Sequence, residues 1–128
     1  LVARQAASWD PVLAWARREL GAEFRVAVGV MPIEQSQALS AGVLRALLNA
    51  NAFRLAALHV LTTLSGSALL ALSHAEGQLS REEAWTAAHI DEDWQIEQWG
   101  DDDEAAARRA FRQAEFAAAS RMLTLVQE

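Results

Sequence analysis

The sequence predicts an all-α or mainly α fold: a five-helix bundle around a central apolar helix, with one short extended segment near residues 24–30. Three observations carry that expectation. Apolar residues recur at helical spacing through most of the 128 residues. Helix start and stop signals divide the chain into segments joined by tight turns. Only "FRVAVGV", Phe24 to Val30, alternates as a strand would, and nothing else in the chain reads as its pairing partner.

Asp10 followed by Pro11 predicts the first helix start, a capping side chain and then proline where a missing N–H costs nothing; the helix runs to Leu20 and stops at Gly21. Beyond Pro32, Leu39, Val43, Leu47 and Ala50 recur with helical period, so Ser36 to Asn49 reads as a second helix. Asn51 caps the third and longest, which Gly77 ends. No Asp, Glu, Lys or Arg occurs from Leu55 to Ala75, a length that would cross a bilayer. His59, His74 and the Ser and Thr hydroxyls, with no aromatic belt and no basic flanks, favour a buried central helix instead. Gly66 between Ser65 and Ser67 is expected to let a neighbouring helix pack closely. Ser80 with Glu83 is a capping box that opens a fourth helix ending at Gly100. A fifth starts from "DDDE" and runs to about Val126, with Glu104 and Arg108 four apart in the favourable order.

Composition narrows the function. With 52% hydrophobic and 22% charged residues the chain is expected to fold as one compact soluble unit. The absence of cysteine excludes disulfides, thiolate nucleophiles and thiolate metal sites. All eleven basic residues are arginine, scattered, and the net charge is −6, which argues against nucleic acid as a partner. The chain begins at Leu1 and its first residues have no signal-peptide pattern.

The segment that asks for a function is "DEDWQIEQWG", Asp91 to Gly100. Ten acids and no basic residue lie between Glu82 and Glu104. Glu82 and Glu83, like Asp102, Asp103 and Glu104, fall in first helical turns, where the macrodipole favours negative charge. Asp91, Glu92, Asp93 and Glu97 fall in the middle and last turns of the fourth helix, where it opposes them. At about 100° per residue, Trp85, Ala88, Glu92, Ile96 and Trp99 form one stripe, which Glu92 interrupts. Two readings of Glu92 are open: a satisfied buried acid paired with Arg54 or His59, or a functional acid that awaits a partner's cation. Trp94 falls on the opposite face, at the surface, where an indole beside acids suits a protein interface.

"FRLAALHVLTTLSGSALLAL", "EEAW" and "DEDWQIEQWG", in this order and with "LVARQAASWDPVLAW" upstream, resemble the chaperone family that escorts the α subunit during assembly of the F-type ATP synthase. The resemblance covers nearly the whole chain. It implies a two-part design in which residues 1–128 are the helical C-terminal part of a longer chain and an N-terminal β-rich domain is absent, which would also account for the unpaired segment 24–30. The family's recognisable core is a Glu, a Gln three residues on, then Trp-Gly, here Glu92, Gln95, Trp99 and Gly100. Glu92 is thereby implied as the family's essential acid, and Asp93 stands where many relatives have another Glu. Asn51-Ala52 departs from the Asp-Pro of close relatives, though both pairs start a helix.

The function so implied is an assembly chaperone that binds the free α subunit, shields it from self-association and hands it to the β subunit. The expected binding residues are Glu92, Trp94, Gln95, Trp99, Asp91 and Asp93. No cofactor, metal, nucleic acid or membrane insertion is expected, and the location implied is the bacterial cytoplasm, in an alphaproteobacterium, or the mitochondrial matrix for eukaryotic relatives. There is no Walker-type glycine loop and no lysine to hold a phosphate. Alternatives are a helical adaptor for another basic partner or a small helical hydrolase. For the last, His59, His74 and His89 supply no HExxH-like pair, although His89 and Asp93 are four apart.

Overall fold

The structure is a computed structural model that describes residues 1–20, 37–48 and 50–126. Among the described residues there are seven helices and no strand: α1 (Val2–Leu20), α2 (Gln37–Leu47), α3 (Ala52–Ser65), α4 (Ala68–Ala75), α5 (Arg81–Ala88), α6 (Ile90–Trp99) and α7 (Asp103–Leu125). The all-α expectation holds, but the five expected helices are seven. The extended segment expected near residues 24–30 lies outside the described residues.

The first correction is at the N-terminus of α1. The helix starts at Val2 and carries Pro11 inside it, although proline removes one intrahelical hydrogen bond and crowds the preceding turn. The turns before the proline are held from outside. Trp9 Nε1 donates to the Ala87 carbonyl at 2.7 Å, Gln5 Nε2 donates to Asp91 at 2.6 Å, and Arg4 pairs with Glu97.

The long apolar helix expected from Asn51 to Gly77 is two helices. Gly66 adopts φ 73°, ψ 12°, the left-handed conformation that favours glycine, and its N–H bonds the Thr62 carbonyl to close α3. Ser67 then turns to an extended conformation and accepts from Leu70 N to open α4. A Cβ at Gly66 would meet nothing within 4 Å, so this glycine supplies a turn and not close packing. The glycine that does admit a neighbour is Gly42 of α2, where a Cβ would collide with the Leu20 carbonyl oxygen and lie 3.0 Å from Leu20 Cβ. Nor is α3 buried all round: Phe53, Leu55 and Val60 are exposed. No helix among the described residues is long and apolar enough to cross a membrane.

The fourth expected helix is also two. Ser80 and Glu83 form the predicted capping box at the start of α5, but α5 ends at Ala88. The His89 ring causes the break: its Nδ1–H donates to the Trp85 carbonyl at 2.7 Å, the acceptor its own backbone N–H would use in an α-helix. That N–H bonds Thr86 O at 3.1 Å instead, and α6 restarts with Asp93 N on His89 O at 2.8 Å. Asn51 caps α3 as predicted, and Asp102 caps α7.

One core joins α1, α3, α4, α5 and α7. Trp15, Leu20, Leu58, Leu61, Leu72, Trp85, Phe116 and Leu123 are buried in it, with Trp85 edge-on to Phe116 at 5.4 Å between ring centroids. α3 packs mainly on α7 and α4. Only Ile90 of α6 is buried and Glu92, Asp93, Trp94 and Ile96 are half-buried, so that helix rests on the bundle by one side.

Candidate functional site

The break at His89 places Asp91, Glu92 and Asp93 in the first turn of α6. The expectation that they sit where the helix dipole opposes them is therefore overturned. They lie at the positive end, where each carboxylate gains about 0.3–1 kcal/mol. Three acids shortly after a histidine were the available signal of a helix start, hidden because a single residue separates α5 from α6.

The stripe expected to run from Trp85 to Trp99 does not survive the break. Trp85 is buried, with the His89 ring packed against it at 3.8 Å between centroids, whereas Trp99 is 81% exposed. Trp94, expected at the surface, is half-buried, and Gln95 is exposed.

Glu92 is half-buried, but neither Arg54 nor His59 is its partner. Arg54 pairs with Glu76 at 3.1 Å, and His59 is exposed. Glu92 Oε2 sits instead 3.9 Å from Arg109 Nη1, 3.8 Å from Arg112 Nη2 and 4.0 Å from His89 Nε2. Asp93 takes the direct bond, 2.5 Å from Arg109 Nη1. Glu97 pairs with Arg4, whose hydrogen bond holds that carboxyl below the usual carboxylate range. Burial pushes the His89 imidazole below its ordinary pKa, leaving a neutral ring whose Nε2 faces Glu92.

The acidic segment is thus supplied with cations from other helices: Arg109 and Arg112 from α7, Arg4 from α1. Sequence reasoning missed Arg4 because it lies far along the chain from α6, and missed Arg109 and Arg112 because their approach depends on how α7 folds back after α6. The available signal was the pair Arg109 and Arg112, which a tight α6–α7 turn at Gly100 to Asp102 brings to Glu92 and Asp93, while Arg108 faces Glu104 on its own helix. Asp91 accepts from the neutral Gln5 amide, and no arginine among the described residues pairs with it. The exposed part of the segment is Asp91, Gln95, Glu97, Gln98 and the indole of Trp99, with Glu92 and Asp93 half-buried.

An apolar cleft of about 330 Å³ beside the α3–α4 break is lined by residues such as Trp9, Val12, Leu70 and Ala87, and no titratable side chain lines it. Among the described residues no three His, Asp or Glu side chains are placed to hold a metal ion.

No family model and no curated protein matches the sequence. Solved structures do. Atp12 from Paracoccus denitrificans is 36% identical over 97% of this chain, with a TM-score of 0.90. A lysine-for-aspartate mutant of Atp12p from the same organism is also 36% identical over 97%, with a TM-score of 0.91. A candidate chaperone from Agrobacterium tumefaciens is 50% identical over 96%, with a TM-score of 0.88. The chain spans about half the length of these structures, covering 54%, 53% and 46% of them. This agreement of sequence and helix arrangement along nearly its whole length makes the chain a relative of Atp12.

Proposed function

We propose that this helical chain binds the free α subunit of the F-type ATP synthase, shields it from self-association and yields it to the β subunit, acting as a chaperone and not as an enzyme. The likeness to Atp12 supports this reading, and the single observation that carries its location is α6. That helix packs one residue into the core and presents an exposed indole at one end and a first-turn carboxylate cluster at the other.

The physical requirement is a surface that competes with aggregation yet lets go. Carboxylates at the rim raise the association rate, and a desolvated indole supplies affinity. Because Glu92 and Asp93 already hold arginines, a client cation must exchange with Arg109 or Arg112 and does not meet bare charge. That exchange limits the net gain and suits reversible binding. Asp91, Glu92, Asp93, Trp94, Gln95 and Trp99 form the proposed contact set, with Trp99 the main anchor.

The test is light scattering of purified α subunit as it aggregates. The chain is expected to suppress scattering in proportion to its concentration and to release the α subunit when β subunit is added. No suppression, or equal suppression of an unrelated aggregating protein, would contradict the reading and favour an adaptor for some other basic partner.

A further inference from the structure

The outward face of α7 is used neither by the core nor by α6. Phe116, Ala119 and Leu123 point α7 into the bundle; at about 100° per residue, Ala107, Phe111, Ala114 and Ala118 lie on the opposite side, continued by Met122 and Leu125. All are exposed, Phe111 at 67% and Leu125 at 69%. A helix with a single buried face normally turns polar residues outward. Four of the exposed charges of α7 lie at the ends and along one flank of the apolar strip: Glu104, Arg108, Glu115 and Arg121. The spacing from Ala107 through Phe111 and Ala114 to Ala118 alternates four and three, the pattern of a helix–helix seam.

We propose that this face pairs with the same face of a second copy of the chain, the two α7 helices running antiparallel about a two-fold axis. The register follows from size and charge. Setting Phe111 against Ala114 of the second copy places the large residue on a small one in both symmetry-related layers and sets Ala107 against Ala118. The same register brings Glu104 opposite Arg121 and, along the flank, Arg108 opposite Glu115, each pair occurring twice. A parallel pairing would instead set Glu104 against Glu104 and Arg121 against Arg121. Complementarity of four charges in one register, on a face that is otherwise apolar, selects the second copy over an unrelated partner. An isologous contact of this kind closes at two chains.

The experiment is sedimentation equilibrium of the chain over a concentration series, with circular dichroism melts as fold controls. The wild type is expected to move from 14.0 kDa toward twice that mass. Arg108→Glu and Glu115→Arg are each expected to weaken association at least tenfold while leaving the melt near wild type, because both side chains are exposed. An equimolar mixture of the two variants is expected to restore it, since the carboxylate introduced at 108 then meets the guanidinium introduced at 115 and the native pair remains on the other side. A chain that stays monomeric throughout, or a dimer indifferent to both reversals, overturns the proposal. So does a monomer whose Phe111→Asp variant loses capture of the α subunit, which would assign the face to the client.

Discussion

Arg109→Met removes the guanidinium that ties α7 to α6 while keeping most of its apolar stem. The Arg109 side chain is 20% exposed, and its partners Asp93 and Glu92 are 39% and 35% exposed. A fully exposed ion pair contributes about 0–1 kcal/mol, and breaking a fully buried one costs about 3–5 kcal/mol. Arg112 remains 3.8 Å from Glu92, so only Asp93 is left without a cation. The expected loss is therefore intermediate, about 1–2 kcal/mol, in line with one charge-assisted hydrogen bond. Arg112→Met, which removes a more exposed side chain at longer range, is expected to cost under about 0.5 kcal/mol. Urea unfolding at low and high salt measures both: the midpoint should fall for Arg109→Met with an unchanged slope, and the deficit should shrink in high salt. Equal midpoints for the two variants and the wild type would refute the assignment of Arg109 as the tie.

Two further outcomes follow from local structure. His89 has a folded-state pKa pushed below its ordinary 6.5 by burial, so the unfolded chain binds the proton more readily. Its contribution to stability is then complete above the unfolded value and is lost as pH falls from there through the folded one. Urea midpoints of wild type should fall below about pH 6.5, and His89→Asn should remove that component of the slope; identical pH profiles would contradict it. Gly42→Ala should destabilise the α1–α2 crossing by about 1–3 kcal/mol, because a backbone oxygen of Leu20 occupies the Cβ position, and a thermal melt matching wild type would show that the crossing can open without cost.

Much of this architecture was legible where one side chain decides a local geometry. Asn51 and Ser80 cap the helices they were read to cap, Glu83 completes its box, and Glu104 reaches Arg108 at 3.8 Å. The two missed breaks have different causes. At Gly66–Ser67 the punctuation was present, a left-handed glycine followed by a capping serine, but continuous apolar character on both sides outweighed it. At His89 no turn residue marks the break; a ring nitrogen competing for the Trp85 carbonyl produces it, and that depends on the ring being packed against Trp85. The extension of α1 ahead of Pro11 depends on contacts from Arg4, Gln5 and Trp9 to residues 93, 86 and 78 positions away, which local pattern does not encode. For the same reason Glu97 acquired Arg4, a partner absent from the local pattern.

The most direct test of the proposed client-binding role of α6 is the affinity of purified α subunit for the Trp99→Ala chain, measured by titration alongside a thermal melt. Trp99 is 81% exposed, so its truncation should leave the melt within about 0.5 kcal/mol of wild type. Binding should weaken by at least 2 kcal/mol, roughly thirtyfold, as for a tryptophan anchor. Undiminished affinity with an unchanged melt would contradict the account, because the most exposed indole on the acidic helix would then have no client to meet.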